Sequence, residues 1–167
     1  MPTSVRARDD KEAPVRVFES LDDFRAAVGQ ELGAGEWHTV DQAQIDAFAD
    51  ATLDHQWVHV DPIRAASGPF GTTIAHGYLT LSLIPFLAES VYRVDGPAMG
   101  VNYGLEKVRF PSAVPVGSRI RVRATLANCD KVPLGARCTV HFVVEVDGGE
   151  RPACTAEAVF ILASATP

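Results

Sequence analysis

Asp54 and His59 stand five positions apart in the run Asp54-His55-Gln56-Trp57-Val58-His59, directly after a short amphipathic segment. A carboxylate and an imidazole that converge on one water can take a proton from it and deliver a proton elsewhere. An unperturbed imidazole titrates at about 6.5, so His59 can accept or return a proton near neutral pH. No other stretch offers such an acid/base pair beside an apolar segment. Gln56, between the two, is placed to orient the carboxylate or a substrate carbonyl. Of the remaining histidines, His38 and His55 read as surface residues, and His76 reads as shaping the turn before Gly77. Cys129, Cys138 and Cys154 lack metal-ligand spacing and are odd in number, which reads as buried thiols in a reducing compartment. Neither a metal site nor a cofactor is expected.

The elements around the pair follow from caps and periodicity. Ser20 is a helix N-cap followed by Asp22 and Asp23, with Leu21, Phe24, Ala27 and Val28 as the apolar face and Gly29 as the stop. Gly33-Ala34-Gly35 reads as a loop and Trp37 to Val40 as a short extended piece. Asp41 caps the next helix with Gln44 at the capping-box position, and Ile45, Phe48, Ala49 and Thr52 form its inward stripe. That helix ends just before Asp54. Asp61-Pro62 starts another helical turn, and Gly68 to Thr73 is a loop. From Gly77 to Tyr92 the chain is apolar on nearly every side, which predicts one buried helix bent at Pro85. Strands follow: 98–103, 107–110, an alternating run at 119–126, a second at 138–146, the turn Asp147-Gly148-Gly149-Glu150, and a last strand at 153–162. No helix separates these late strands, so the sheet should be mainly antiparallel. The fold class is α+β, an antiparallel sheet wrapped around a long central hydrophobic helix.

Bulk properties narrow the function. The 167 residues suit one domain, expected over 17–167, after a polar, flexible tail at 1–16. A net charge of −6 leaves no basic surplus for phosphate backbones, so nucleic acid is not an expected partner. The apolar stretch near 79–87 is too short to span a bilayer, and the N-terminus has no apolar leader. A cytoplasmic protein with no membrane partner is expected.

The helix ending at Asp54, the turn to His59, "IAHGYLTLSLIPFL" and "KVRFPSAVPVGSRIRV" together resemble the MaoC-like hydratases, hot-dog-fold proteins that include the (R)-specific enoyl-CoA hydratases. The resemblance covers roughly residues 36 to 162. The family motif reads Asp, any, Asn, Pro, aliphatic, His. Asp54, Val58 and His59 match it, while Gln56 stands where Asn is usual and Trp57 where Pro is usual. The resemblance implies reversible hydration of a trans-2-enoyl-CoA to an (R)-3-hydroxyacyl-CoA. It gives Asp54 and His59 the water-activating roles and the Gly77 backbone N–H the role of oxyanion donor. It implies an acyl-CoA thioester as substrate and a homodimer. Asn102 and Tyr103 are candidates for the acyl site. Lys107, Arg109, Arg119, Arg121 and Arg123 are candidates for the coenzyme A phosphates. Two other readings stay open, a hot-dog acyl-CoA thioesterase and a non-catalytic acyl-thioester-binding subunit. Spacing does not say which of Asp54 and His59 first takes the proton.

Overall fold

A computed structural model describes residues 14–133 and 135–164. The tail expected at 1–16 therefore lies outside the described residues up to position 13, and its last residue, Arg16, opens a strand. That strand, β1 (Arg16–Phe18), pairs in parallel with β4 (Tyr92–Val94). Phe18 and Phe24 meet edge to face at 5.0 Å and Phe24 stacks on Tyr92 at 5.5 Å, so the pairing closes one end of the core.

Three helix starts stand where the sequence puts their caps. Ser20 Oγ accepts from Asp23 N at 3.1 Å to open α1 (Leu21–Ala26), and Asp41 Oδ1 accepts from Gln44 N at 2.8 Å to open α2 (Gln42–Thr52). After α3 (Trp57–Val60), Asp61 Oδ1 accepts from Arg64 N at 3.0 Å to open α4 (Pro62–Ala66), with Pro62 at the first helical positions. The Gln44 side chain does not complete a capping box; its Oε1 is bonded to His38 Nε2 at 3.1 Å.

The main sheet has six strands. β2 (Glu31–Ala34) and β3 (His38–Thr39) lie along one edge of β6 (Arg119–Val132). β7 (Gly135–Val146), β8 (Cys154–Ser164) and β5 (Pro97–Arg109) follow in that order, all antiparallel. Gly33 and Ala34, expected in a loop, belong to β2, because they find backbone partners in Ala124 and Arg123 across the sheet. The two short strands expected at 98–103 and 107–110 are one 13-residue strand, with no break between them and register shifts near Ala98, Tyr103 and Glu106. Alternation assigned the faces of the long strands correctly. Ile120, Val122, Ala124 and Leu126 of β6 and Val140, Phe142 and Val144 of β7 are fully buried.

The central helical segment packs on this face, in the arrangement expected of a hot-dog domain, but it is not one helix through Tyr92. It comprises α5 (Gly77–Ser82) and α6 (Ile84–Ala88), meeting at Leu83. Pro85 has no N–H to continue the ladder, so the break falls just before it. Leu79, Ile84, Leu87 and Ala88 face the core, while Tyr78 and Phe86 are 70% and 54% exposed, so the segment is apolar all round without being buried all round. Cys129, Cys138 and Cys154 are free and buried, as expected. Among the described residues no helix is long and apolar enough to cross a membrane.

Candidate active site

The end of α2 begins the site. Leu53 caps it in the left-handed region, φ 61°, a conformation rare for a residue with a side chain. The chain thereby reverses, leaving Asp54 at the surface, and Gln56 becomes the N-cap of α3 with Trp57 as its first residue. These are the N-cap and first helical positions, where a short polar side chain and proline are the residues helix starts favour. Gln56 makes no side-chain cap bond. Trp57 stabilises the turn by packing instead. Its indole closes on Gly68, where an added Cβ would meet ring carbons at 2.9 and 3.0 Å, and Arg64 lies over it at 4.5 Å.

The short helix α3 delivers His59 to the interior, 8% exposed. His59 Nδ1 lies 2.7 Å from the Ile74 carbonyl oxygen, which can only accept, so Nδ1 carries the proton and Nε2 presents a lone pair. The Ile74 N–H in turn donates to the Val58 carbonyl at 3.1 Å, clamping the segment before α5 against α3. Gln42 holds the other side of His59. Its Nε2 donates to the His59 carbonyl at 2.7 Å, and its Oε1 accepts from buried Thr73 Oγ1 at 2.6 Å. The His59 pKa is lowered, first by burial and then by neighbouring His76, against the opposing effects of the Ile74 bond and the Asp54 carboxylate. A neutral imidazole, able to act as a base, results.

His76, read as a turn former, is part of this cluster. It is 3% exposed and stacks on His59 with ring centroids 3.7 Å apart and planes at 25°. Its Nε2–H donates to the Asp54 backbone carbonyl at 3.0 Å. An Asp54 carboxylate oxygen and one ring nitrogen each of His59 and His76 lie within 4.8 Å of one another. Two imidazoles and a carboxylate are a donor set that a transition-metal ion accepts. Each ring already spends one nitrogen on a backbone carbonyl, His59 Nδ1 on Ile74 and His76 Nε2 on Asp54, so each has a single lone pair left to offer.

Gly77 follows His76 as the first residue of α5, and the first turn of a helix has N–H groups without intrahelical partners. The Phe110 ring covers it so closely that an added Cβ would lie 3.1 Å from Phe110 Cγ. One turn further along, a groove of about 390 Å³ opens between the helical segment and the sheet. Leu81, Ile84 and Pro85 line one wall, and Asn102, Tyr103 and Phe160 line the other. Asn102 and Tyr103, the candidates for an acyl site, therefore both line this groove.

Other candidates are spread more widely. Gln56 sits at the solvent edge, and its carbonyl accepts from the His59 N–H at 2.9 Å. Arg109 is exposed beside Phe110 and donates to its neighbour's carbonyl, Val108 O, at 2.7 Å. Lys107, Arg119 and Arg121 are paired with Glu157, Asp147 and Glu145 at 3.3, 2.6 and 2.7 Å, and Arg123 pairs with Glu31. His55 is exposed and bonded to Asp50 at 2.8 Å, as expected of a surface residue. His38 is only partly exposed, held between Gln44 and the Phe86 edge. Gln42 and Thr73, which hold His59, were not singled out in the sequence, and His76, expected to shape the turn before Gly77, also lies against His59. Gln42 gave no signal beyond its place at a helix start, whereas His76 was flagged by the glycine after it.

The chain is similar to known proteins over most of its length. The family profile described as MaoC like domain matches residues 23–146. The chain is 51% identical over 146 residues to the 3-hydroxyacyl-thioester dehydratase Z of Mycobacterium tuberculosis, covering 87% of this chain and 97% of that protein. It is 49% identical to nodulation protein N of Rhizobium leguminosarum bv. viciae, covering 86% and 91%. Among solved structures, the (R)-hydratase of A. caviae, described as involved in PHA biosynthesis, superposes with a TM-score of 0.67 at 27% identity over 81% of this chain and 96% of that one. A profile match across most of the chain, relatives covered nearly end to end and the hot-dog architecture together place this protein in the MaoC-like domain family.

Proposed function

We propose that this protein is a hydro-lyase that reversibly adds water to a trans-2-enoyl thioester, giving an (R)-3-hydroxyacyl thioester. At the coarser level, a hydratase or dehydratase acting on acyl thioesters, the reading is supported by the names its relatives carry, 3-hydroxyacyl-thioester dehydratase and (R)-specific enoyl-CoA hydratase. The observation that carries the finer reading is the 2.7 Å contact between His59 Nδ1 and the Ile74 carbonyl oxygen. With Nδ1–H committed to the Ile74 carbonyl, the Nε2 lone pair is left to hold a water together with the Asp54 carboxylate.

In this mechanism His59 Nε2 and Asp54 bind one water near the β-carbon. One of them removes its proton as the oxygen adds, and the proton is returned to the α-carbon. The electron pair displaced from the double bond moves to the thioester oxygen, where the Gly77 N–H receives the developing charge. Losing one such donor typically costs about 3–4 kcal/mol of transition-state stabilisation. The acyl chain lies in the groove along Leu81, Ile84 and Pro85, against Asn102 and Tyr103. Arg109, the member of the cationic set without a carboxylate pair among the described residues, is the candidate for a coenzyme A phosphate. β5 exposes Met99, Val101, Tyr103 and Leu105 at a sheet edge that has no strand partner among the described residues, which fits pairing with a second copy in a homodimer.

Hydration of crotonyl-CoA, followed at the enoyl absorbance with chiral analysis of the product, tests the proposal. The Asp54→Asn and His59→Ala variants should each lose at least about 10²-fold in kcat. Variants with wild-type turnover would overturn the residue assignment. Release of free thiol from saturated acyl-CoA would favour the thioesterase reading instead. Light scattering tests the dimer.

A further inference from the structure

Nothing in the mechanism above uses His76, yet this buried residue contacts the turn that carries Asp54 and the ring of His59, and directly precedes Gly77. Its Nε2–H holds the Asp54 carbonyl at 3.0 Å, its ring lies on His59 at 3.7 Å, and its own carbonyl is the last before Gly77. Behind it, Phe48 of α2 closes on the ring at 5.0 Å. Its Nδ1 is buried and has no hydrogen-bond partner among the described residues. As the N-cap of α5, its side chain makes no capping bond, so helix capping does not explain its burial. A buried polar atom without a partner is costly to retain, and a leucine or phenylalanine of similar volume would avoid that cost.

We propose that His76 is a positioning residue for the hydration reaction, fixing the separation of Asp54 and His59 by donating to the turn that carries one and stacking on the ring of the other. The proposal rests on the assignment of Asp54 and His59 as the water-activating pair. The hydrogen bond acts where the backbone is least content, next to Leu53 at φ 61°. Without it, the reversal after α2 is free to relax and carry the exposed Asp54 carboxylate away from His59. The stack acts on orientation. His59 is tethered at Nδ1 by a single bond to Ile74, about which the ring can tilt, and a flat neighbour at van der Waals distance removes that freedom. The same segment, Ile74 to Gly77, therefore supplies the acceptor for His59, the stacking face and the proposed oxyanion donor in register.

The titratable groups facing His59 are Asp54 from the turn and His76 from the segment before α5. Burial and the neighbouring His76 both lower the His59 pKa, so replacing His76 should move His59 back toward its ordinary value.

Full-length His76→Phe and His76→Gln variants test the idea. Phenylalanine keeps a flat ring and loses the donor; glutamine keeps an amide donor and loses the ring. A misplacement on the order of 1 Å at a reacting group costs about 10²-fold in rate, so His76→Phe should lose about that much in kcat with KM changed by less than about threefold. His76→Gln should regain part of the kcat, while its acid limb in kcat/KM moves to higher pH. Nitrogen-15 NMR of the wild-type imidazoles should find His76 as the Nε2–H tautomer and His59 as the Nδ1–H tautomer. Wild-type kcat in His76→Phe, an unmoved acid limb in His76→Gln, or His76 bearing its proton on Nδ1 would each overturn the proposal. If His76→Phe fails to fold, the acid limb of His76→Gln and the wild-type spectrum decide. A wild type that hydrates no enoyl-CoA would refute the parent reading, while the spectrum would still report on the His76 geometry.

Discussion

Replacing Gln42 with leucine removes the bridge that holds His59 from behind. Its amide makes three bonds: Nε2 to the His59 carbonyl at 2.7 Å, Nε2 to Asp46 Oδ1 at 2.8 Å, and Oε1 from Thr73 Oγ1 at 2.6 Å. The Asp46 contact is exposed, and water replaces it at little cost. The other two groups are enclosed: Thr73 is 1% exposed and His59 is 8% exposed. A buried polar group left without its partner costs about 1–3 kcal/mol. Two such groups, one beside a partly wetted helix end, give about 2–4 kcal/mol for Gln42→Leu. In a protein of this size that lowers Tm by about 5–15 °C. Thr73→Val alone should cost about 1–3 kcal/mol by stranding Gln42 Oε1. The double variant Gln42→Leu/Thr73→Val should be less destabilised than the sum, by about 1 kcal/mol or more, because both ends of one hydrogen bond go together. Urea melts followed by circular dichroism measure all three. A Gln42→Leu protein within about 0.5 kcal/mol of wild type, or strictly additive costs, would refute the bridge as a structural element.

Other expectations follow from the same geometry. The folded His59 pKa lies below its unfolded value of about 6.5, so the unfolded chain binds that proton first; stability should fall as pH drops through about 6.5 and level off below the folded pKa. Melts of wild type and His59→Gln between pH 5 and pH 8 on the order of half a unit apart test this, and an equal slope in both would contradict it. Gln56→Asn should supply the missing side-chain cap of α3 and raise stability by about 0.5–1 kcal/mol, read as a higher Tm; a lower Tm would show that Trp57 packing depends on the longer side chain. Leu81→Trp should fill the groove next to Gly77 and lower the preference for long over four-carbon enoyl thioesters by about 10-fold or more in kcat/KM; an unchanged preference would place the acyl chain elsewhere.

Much of this protein was legible in its sequence because the relevant forces are local. The caps Ser20, Asp41 and Asp61 bond within three residues of themselves, so residue type and spacing suffice to place them. Period-two alternation in β6 and β7 follows from the pleat, and it sorted Ile120, Val122, Val140 and Phe142 to the core without knowledge of strand order. The motif from Asp54 to His59 was visible because turn and short helix bring its ends together over five residues. Tertiary structure decided the rest. Gly33 and Ala34 became strand through partners some ninety residues away, and β1 paired with β4 across most of the helical region. The apolar run from Gly77 gave no sign that its helix would end at Ala88 and leave Tyr92 to a strand. Nor did it show that Tyr78 and Phe86 would face outward. Above all, which nitrogen of His59 is free depends on the Ile74 carbonyl fifteen residues on, and the ring's orientation depends on His76 lying across it. Directional bonds and ring stacking between distant segments leave no periodic trace in a sequence. They arise only when the chain is packed, and here they set the hydrogen bond and the ring stack that hold His59.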